Sequence, residues 1–210
     1  MIGSSRQPEM AMRRLGARRG LLAGIALAAL LVPGLARAQN LSYPEVKLGV
    51  LAHDVHFAGG KEHDVDINPE VIFPSPINDA WLATLPGYLR WAFQPRGTLG
   101  AEFNTGRYTN QYYFGATWSW QLLSNVVLPS DGVTFNIFFG PSFNDGKLRT
   151  SKPDRKSLGS NVLFREAFEF GYRINPVYQV SLMFDHTSNA GLAKENQSIN
   201  DFGLRLGIRF

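Results

Sequence analysis

The sequence predicts an all-β protein, an eight-stranded antiparallel transmembrane barrel of the outer-membrane type. Three observations carry that prediction. Apolar and polar residues alternate with a period of two over eight separate segments, the mark of strands with two unlike faces. One face of these segments is apolar and aromatic, while the other mixes glycine with isolated charges. The segments run about ten residues, the length a tilted strand needs to cross the hydrocarbon of a bilayer.

The 210-residue chain opens with a basic stretch containing Arg13, Arg14, Arg18 and Arg19, followed by an apolar run over 21–35 and the small-residue end Ala36, Arg37, Ala38. That order is expected of a secretory signal peptide over 1–38, cut before Gln39. The run is shorter than the roughly 20 residues of a spanning helix. Residues 39–210 are then expected to form one domain. Six of the 21 basic residues and one of the 17 acidic residues fall within 1–38, leaving 15 against 16. The positive balance belongs to the leader, so no nucleic-acid partner is expected. The absence of cysteine excludes a disulfide framework in an exported protein. His53, His56, His63 and Asp66 are neighbours in sequence at no metal-ligand spacing. They are expected on a loop surface, and no metal site is expected.

The expected strands are 46–55, 64–73, 96–104, 110–121, 132–144, 159–172, 177–188 and 199–210. In the third, Leu99, Ala101 and Phe103 alternate with Thr98, Gly100, Glu102 and Asn104. The fourth sets Tyr112, Phe114, Ala116, Trp118 and Trp120 against Gln111, Tyr113, Gly115, Thr117 and Ser119. The fifth opposes Val133, Phe135, Ile137 and Phe139 to Thr134, Asn136, Phe138 and Gly140. The last opposes Phe202, Leu204, Leu206, Ile208 and Phe210 to Gly203, Arg205, Gly207 and Arg209. A soluble lipocalin-like carrier alternates too, but with its apolar face inward. Here Glu102, Arg165, Glu169 and Arg205 fit a packed polar interior, and Trp118 and Trp120 fit an interface girdle, so the apolar faces are expected to meet lipid.

Both termini then lie on the periplasmic side, and 55–63, 105–109, 145–158 and 189–198 become extracellular loops. The turn at 173–176 is tight, while the connection at 74–95 is long and carries a short helix near 78–85. Loop 145–158 is basic. Lys147, Arg149, Lys152, Arg155 and Lys156 outnumber Asp145 and Asp154, which suits either a plain solvated loop or contacts with phosphates of lipopolysaccharide.

In the seventh strand, Tyr178, Val180, Leu182 and Phe184 define the lipid-facing side, and His186 and Ser188 continue it. Residues two apart on one strand face lie about 6.6 Å apart, within side-chain reach for a base activating a hydroxyl. The segment also has good turn chemistry, so spacing leaves both a plain strand end and a nucleophile open.

The motif His-Thr-Ser-Asn-Ala-Gly at 186–191, with Asn196 ten residues after the histidine and a last strand ending on Phe210, resembles the lipid A 3-O-deacylase (PagL) family of outer-membrane acyl hydrolases. The resemblance implies a serine esterase that removes the ester-linked acyl chain at the 3 position of lipid A, without metal or cofactor, as a monomer or a homodimer. It implies Ser188 as nucleophile, His186 as general base, and Asn196 with the N–H of Gly191 or a neighbour as oxyanion hole. Asn189 would shape the loop. The family has an acid fourteen residues after the histidine, where this chain has Asn200, followed by Asp201. Parity puts Asn200 on the face of His186, so Asn200 is the expected orienter and Asp201 the reserve. An amide in that position leaves a second reading, a structural or adhesive barrel that keeps the motif without turnover.

Overall fold

The computed structural model describes residues 37–38, 43–56, 60–77 and 79–210. The expected leader falls on residues outside this set, apart from the two-residue strand Arg37–Ala38, which pairs with Gln121 and Trp120. Eight further strands follow: β1 (Glu45–Ala52), β2 (Val65–Ile72), β3 (Arg96–Asn104), β4 (Gln111–Ser124), β5 (Gly132–Asn144), β6 (Val162–Arg173), β7 (Tyr178–Ser188) and β8 (Ile199–Arg209). Each pairs antiparallel with its sequence neighbours, and β1 pairs with β8, so the sheet closes into an up-and-down barrel. Closure gives each of these eight strands a neighbour on both sides.

Alternation sorts the side chains as the sequence predicts. In β1 the residues are buried and exposed in strict turn from Glu45 to Ala52, and β7 does the same from Tyr178 to Asp185. Leu48, Val50, Leu99, Phe114, Phe170, Leu182, Leu204 and Leu206 are among the apolar side chains exposed on the outer wall. The bore is filled rather than open. Arg165 Nη2 pairs with Glu102 at 2.7 Å and Asp185 at 2.9 Å, and its guanidinium lies 3.9 Å from the centroid of Tyr113. Arg205 pairs with Glu70 and Glu169 at 2.6 and 3.3 Å, and Lys47 pairs with Glu169 at 2.7 Å. A small apolar cluster of Leu51, Tyr113, Phe138, Ala167 and Met183 lies among these pairs. Gly100 makes room for Tyr113: a Cβ there would stand 2.4 Å from the tyrosine ring.

Three boundaries differ from expectation by three residues. Strand β1 ends at Ala52 rather than 55, because Asp54 adopts a φ of +54° and turns the chain. Strand β6 begins at Val162 rather than 159, because Gly159 adopts a φ of +75° and turns the chain, while Leu158 packs with Leu163 and Ile199. Strand β4 runs on to Ser124 through an irregularity between Gln121 and Leu123. The connection between β2 and β3 holds two short helices, α1 (Asp79–Leu82) and α2 (Gly87–Arg90), and a 3-10 turn at Trp91–Phe93. It folds back on the outer wall, where Trp118 Nε1 donates to the carbonyl of Ala92 at 3.1 Å and Trp91 meets Trp120 at 5.4 Å.

At the opposite end of the barrel, three loops meet on one carboxylate. Glu62, fully buried, accepts from the N–H groups of Thr109 and Lys156 at 3.1 and 3.0 Å and contacts His53 Nε2 at 3.3 Å. Burial opposes charge on Glu62, but these bonds outweigh it and hold its pKa down at about 2. Burial likewise opposes a proton on His53, and the hydrogen bonds of Asp201, Asp66 and Glu62 overcome it, pushing its pKa up to about 12. The surface position expected for His53 and Asp66 is therefore corrected: both are buried and bonded to each other at 2.8 Å. His56 and His63 of that group keep exposed loop positions.

Candidate active site on the outer wall

Three adjacent strands bring the site together at one level. In the ladders of β7, His186 pairs with Glu166 of β6 on one side and with Asn200 of β8 on the other. Ser188 pairs with Phe164 one rung further toward the loop. All of these share the outward parity of Phe184 and Phe202, both exposed. The alternate residues Asp185, Thr187 and Asp201 point into the bore and are fully buried.

His186 Nδ1 lies 2.6 Å from Asn200 Oδ1. Since the amide oxygen only accepts, Nδ1 carries the hydrogen and Nε2 is left with the lone pair. Ser188 Oγ accepts from the N–H of Ala190 at 3.4 Å and makes no hydrogen bond to His186 among the described residues. Such bonds are commonly long in an unliganded site. Asp201, the reserve acid, faces the other way. Its Oδ1 accepts from the N–H of Asp54 at 2.8 Å inside the barrel, so Asn200 alone of the two meets His186.

The loop after Ser188 is held in shape by two asparagines. Asn189 Nδ2 donates to the carbonyls of Leu158 and Glu195 at 2.8 and 2.6 Å, and Asn196 Oδ1 accepts from the N–H of Asn189 at 3.0 Å. Ala190 and Gly191 both have positive φ, +55° and +81°, and Leu192 N–H closes the turn on the carbonyl of Asn189 at 3.0 Å. This is the pattern of a primed turn, which favours glycine at its second centre. The N–H of Gly191 is spent on Asn189 Oδ1 at 2.9 Å, whereas Asn196 presents an amide nitrogen beside the turn.

Neither His56 nor Glu166 was expected at this site. Residues 53–56 lie over the wall, where Val55 N–H bonds the carbonyl of Asn200 at 2.7 Å and Asn200 Nδ2 reaches His56 Nε2 at 3.1 Å. Val55, His56, Phe184 and Phe202 line a surface groove of about 400 Å³ directly below His186 and Asn200. The signal for Glu166 was in the sequence, as one acid in the outward row Val162, Phe164, Glu166, Phe168, Phe170. Its partner needed the register. His56 had no such signal.

The basic loop divides. Lys147, Arg149 and Lys152 are exposed. Arg155 donates to the carbonyl of Arg107 and stacks over Tyr108 at 4.5 Å. Lys156 is buried and pairs with Asp54 at 2.5 Å, which removes it from the expected phosphate contacts.

An eight-stranded closed barrel with an apolar wall, a charged packed bore and a polar cluster on the wall defines the class: an outer-membrane-type barrel with its site on the outside. The chain belongs to the lipid A 3-O-deacylase (PagL) family, whose model it matches over residues 84–209. It is similar to the crystal structure of the outer membrane enzyme PagL, with 16% identity, a TM-score of 0.53, and coverage of 78% of this chain and 98% of that one. That likeness is one of fold. It is also similar to Neisserial surface protein A, at 10% identity and a TM-score of 0.45 over 80% of this chain and 96% of that one. The attachment invasion locus protein Ail of Yersinia pestis follows at 9% and 0.37, over 80% and 99%. No curated protein sequence matches the chain.

Proposed function

We propose that this barrel is an outer-membrane esterase that removes the 3-O-linked acyl chain of lipid A. The observation that carries the proposal is the 2.6 Å bond from His186 to Asn200, made on the outward face beside Ser188 in a chain of this family. A base and a hydroxyl on a lipid-facing wall suit a substrate that lies in the membrane, because a water-soluble ester has poor access there.

On this reading Ser188 Oγ attacks the ester carbonyl carbon while His186 Nε2 takes its proton. The carbonyl oxygen becomes an oxyanion, stabilised by Asn196 Nδ2 and the N–H of Ala190, which is held only by its long 3.4 Å contact to Ser188 Oγ. Collapse breaks the bond to the sugar oxygen, which leaves as a hydroxyl with the proton from His186. Water, activated by the same imidazole, then releases the fatty acid and restores Ser188. Asn200 holds the ring in the productive tautomer, and the groove at Phe184 and Phe202 takes the acyl chain. Residues 1–38 act as the export signal. The homodimer gains no support from the comparisons and is set aside.

Purified barrel incubated with lipid A should yield a product lighter by one hydroxy fatty acid in the mass spectrum. Ser188→Ala and His186→Ala should each abolish it. Activity that survives both substitutions sinks the assignment. A serine-directed lipase probe that fails to label Ser188 favours the structural or adhesive barrel instead.

A further inference from the structure

An amide poses a problem that a carboxylate does not. The two ends of Asn200 differ, and only one orientation leaves His186 able to act as a base. With Oδ1 toward His186 Nδ1, the hydrogen sits on Nδ1 and the lone pair is left on Nε2, the nitrogen that would take the proton of Ser188. With the NH₂ group there instead, Nδ1 would have to accept, the hydrogen would move to Nε2, and the imidazole would offer Ser188 an N–H. Something beyond His186 has to choose.

The groups around His56 make that choice. Asn200 Nδ2 lies 3.1 Å from His56 Nε2 and 3.4 Å from its Nδ1. Lys156 Nζ lies 3.3 Å from the same Nε2. Lys156 Nζ is a donor, so Nε2 is the accepting nitrogen, while Asn200 Nδ2, nearly equidistant from the two ring nitrogens, lies over the face of the ring. Nδ1 faces acceptors, Asp54 Oδ1 at 3.0 Å and the Asp54 carbonyl at 3.4 Å, so Nδ1 carries the hydrogen. A flipped Asn200 would set its oxygen against the electron-rich face of the His56 ring, where the NH₂ group is favoured. Asp54 is itself fixed, buried with Oδ2 accepting from the N–H groups of Lys61 and Glu62 at 2.8 and 3.1 Å. Lys156 is anchored by Asp54 and by the carbonyl of Ser198. The adjoining backbone is tied to that of Asn200 through Val55.

We propose that His56, oriented by Asp54 and Lys156, is a positioning residue that fixes the direction of the Asn200 amide and thereby the Nδ1–H tautomer of His186. The inference rests on the esterase reading of Ser188 and His186. It gives the segment 54–56 a part in the chemistry without contact with the scissile ester.

The test is a double-mutant cycle on the full-length barrel in detergent, with folding checked by heat-modifiable gel mobility. His56→Ala should lower kcat about tenfold and leave KM unchanged. His56→Gln, which keeps an acceptor oxygen for Asn200 Nδ2, should recover most of the loss. In an Asn200→Asp background, where either carboxylate oxygen serves, His56→Ala should cost less than twofold. A loss of the same size in both backgrounds, a change confined to KM, or a His56→Gln variant as slow as His56→Ala overturns the proposal. An activity-free readout separates this from failure of the esterase reading. In ¹⁵N-histidine-labelled protein, His186 should be the Nδ1–H tautomer in the wild type and a mixture in His56→Ala. An unchanged tautomer in His56→Ala also overturns it, whether or not the protein turns over lipid A.

Discussion

Glu166 and His186 stand directly opposite each other in the β6–β7 ladder, both on the outward face of the wall. Directly opposed residues have Cβ atoms about 5 Å apart. Asn200 contributes no charge to an imidazolium formed at His186, whereas Glu166 carries one. Across that distance at a half-exposed site, the attraction is worth about 1 kcal/mol after screening. Glu166→Gln should therefore lower kcat for fatty-acid release about fivefold with little change in KM. An unchanged kcat removes Glu166 from the mechanism.

The complementary change is Asn200→Asp. The side chains are isosteric, so the 2.6 Å contact to His186 can persist while a charge is added beside the ring. In a serine protease triad the corresponding acid is worth about 10⁴ in turnover. With Glu166 already near, a smaller gain of about tenfold is expected in initial rates at neutral pH. Asn200→Ala should instead slow release by about a hundredfold. An equal rate in all three proteins denies position 200 an orienting role.

Arg165 tests the bore. It neutralises Glu102 and Asp185 from a fully buried position. Arg165→Met leaves two facing carboxylates without a cation, a loss of about 3–5 kcal/mol for a broken buried pair. The unfolding midpoint in urea should fall accordingly, followed by tryptophan fluorescence in detergent. A triple substitution that also neutralises Glu102 and Asp185 should recover much of it.

Acid should loosen the loop end before the strands. The folded pKa of Glu62 is lowered to about 2, so its stabilising effect is complete above the ordinary carboxylate pKa near 4.5 and is lost as pH falls through about 2. Hydrogen exchange at the N–H groups of Thr109 and Lys156, both held by Glu62, should accelerate between those values. Glu62→Gln should show that faster exchange already at pH 6. Exchange equal to wild type in the variant contradicts the clasp.

The exposed cations of loop 145–161 give a binding prediction. Replacing Lys147, Arg149 and Lys152 together with glutamine should raise KM for phosphorylated lipid A about threefold to tenfold at low salt and leave kcat alone. The effect should shrink as salt screens the charges. A salt-independent KM equal to wild type assigns these residues to solvent only.

Alternation made the barrel legible, because each strand has one face in lipid-compatible surroundings and one in a charged bore. It also fixed which of Asn200 and Asp201 shares a face with His186, since that depends only on parity. What it could not give was register. Glu166 is an anomaly in an apolar row until β6 is aligned with β7, and His56 reaches Asn200 only because residues 53–56, beyond the end of β1, lie over the wall. His53 was misread for a related reason. Loop position suggests exposure, but Asp66, Asp201 and Glu62 gather around it from three separate segments.

The groove beneath His186 is lined by Phe184 and Phe202 of the outer wall, and the bore behind it is filled by ion pairs. A lipid entering by that route would never leave the plane in which it diffuses. Encounter would then depend on how many substrate molecules share each patch of leaflet and how freely they drift, with bulk concentration irrelevant. Both products would be released into the same sheet, so the local composition of the leaflet would itself throttle turnover.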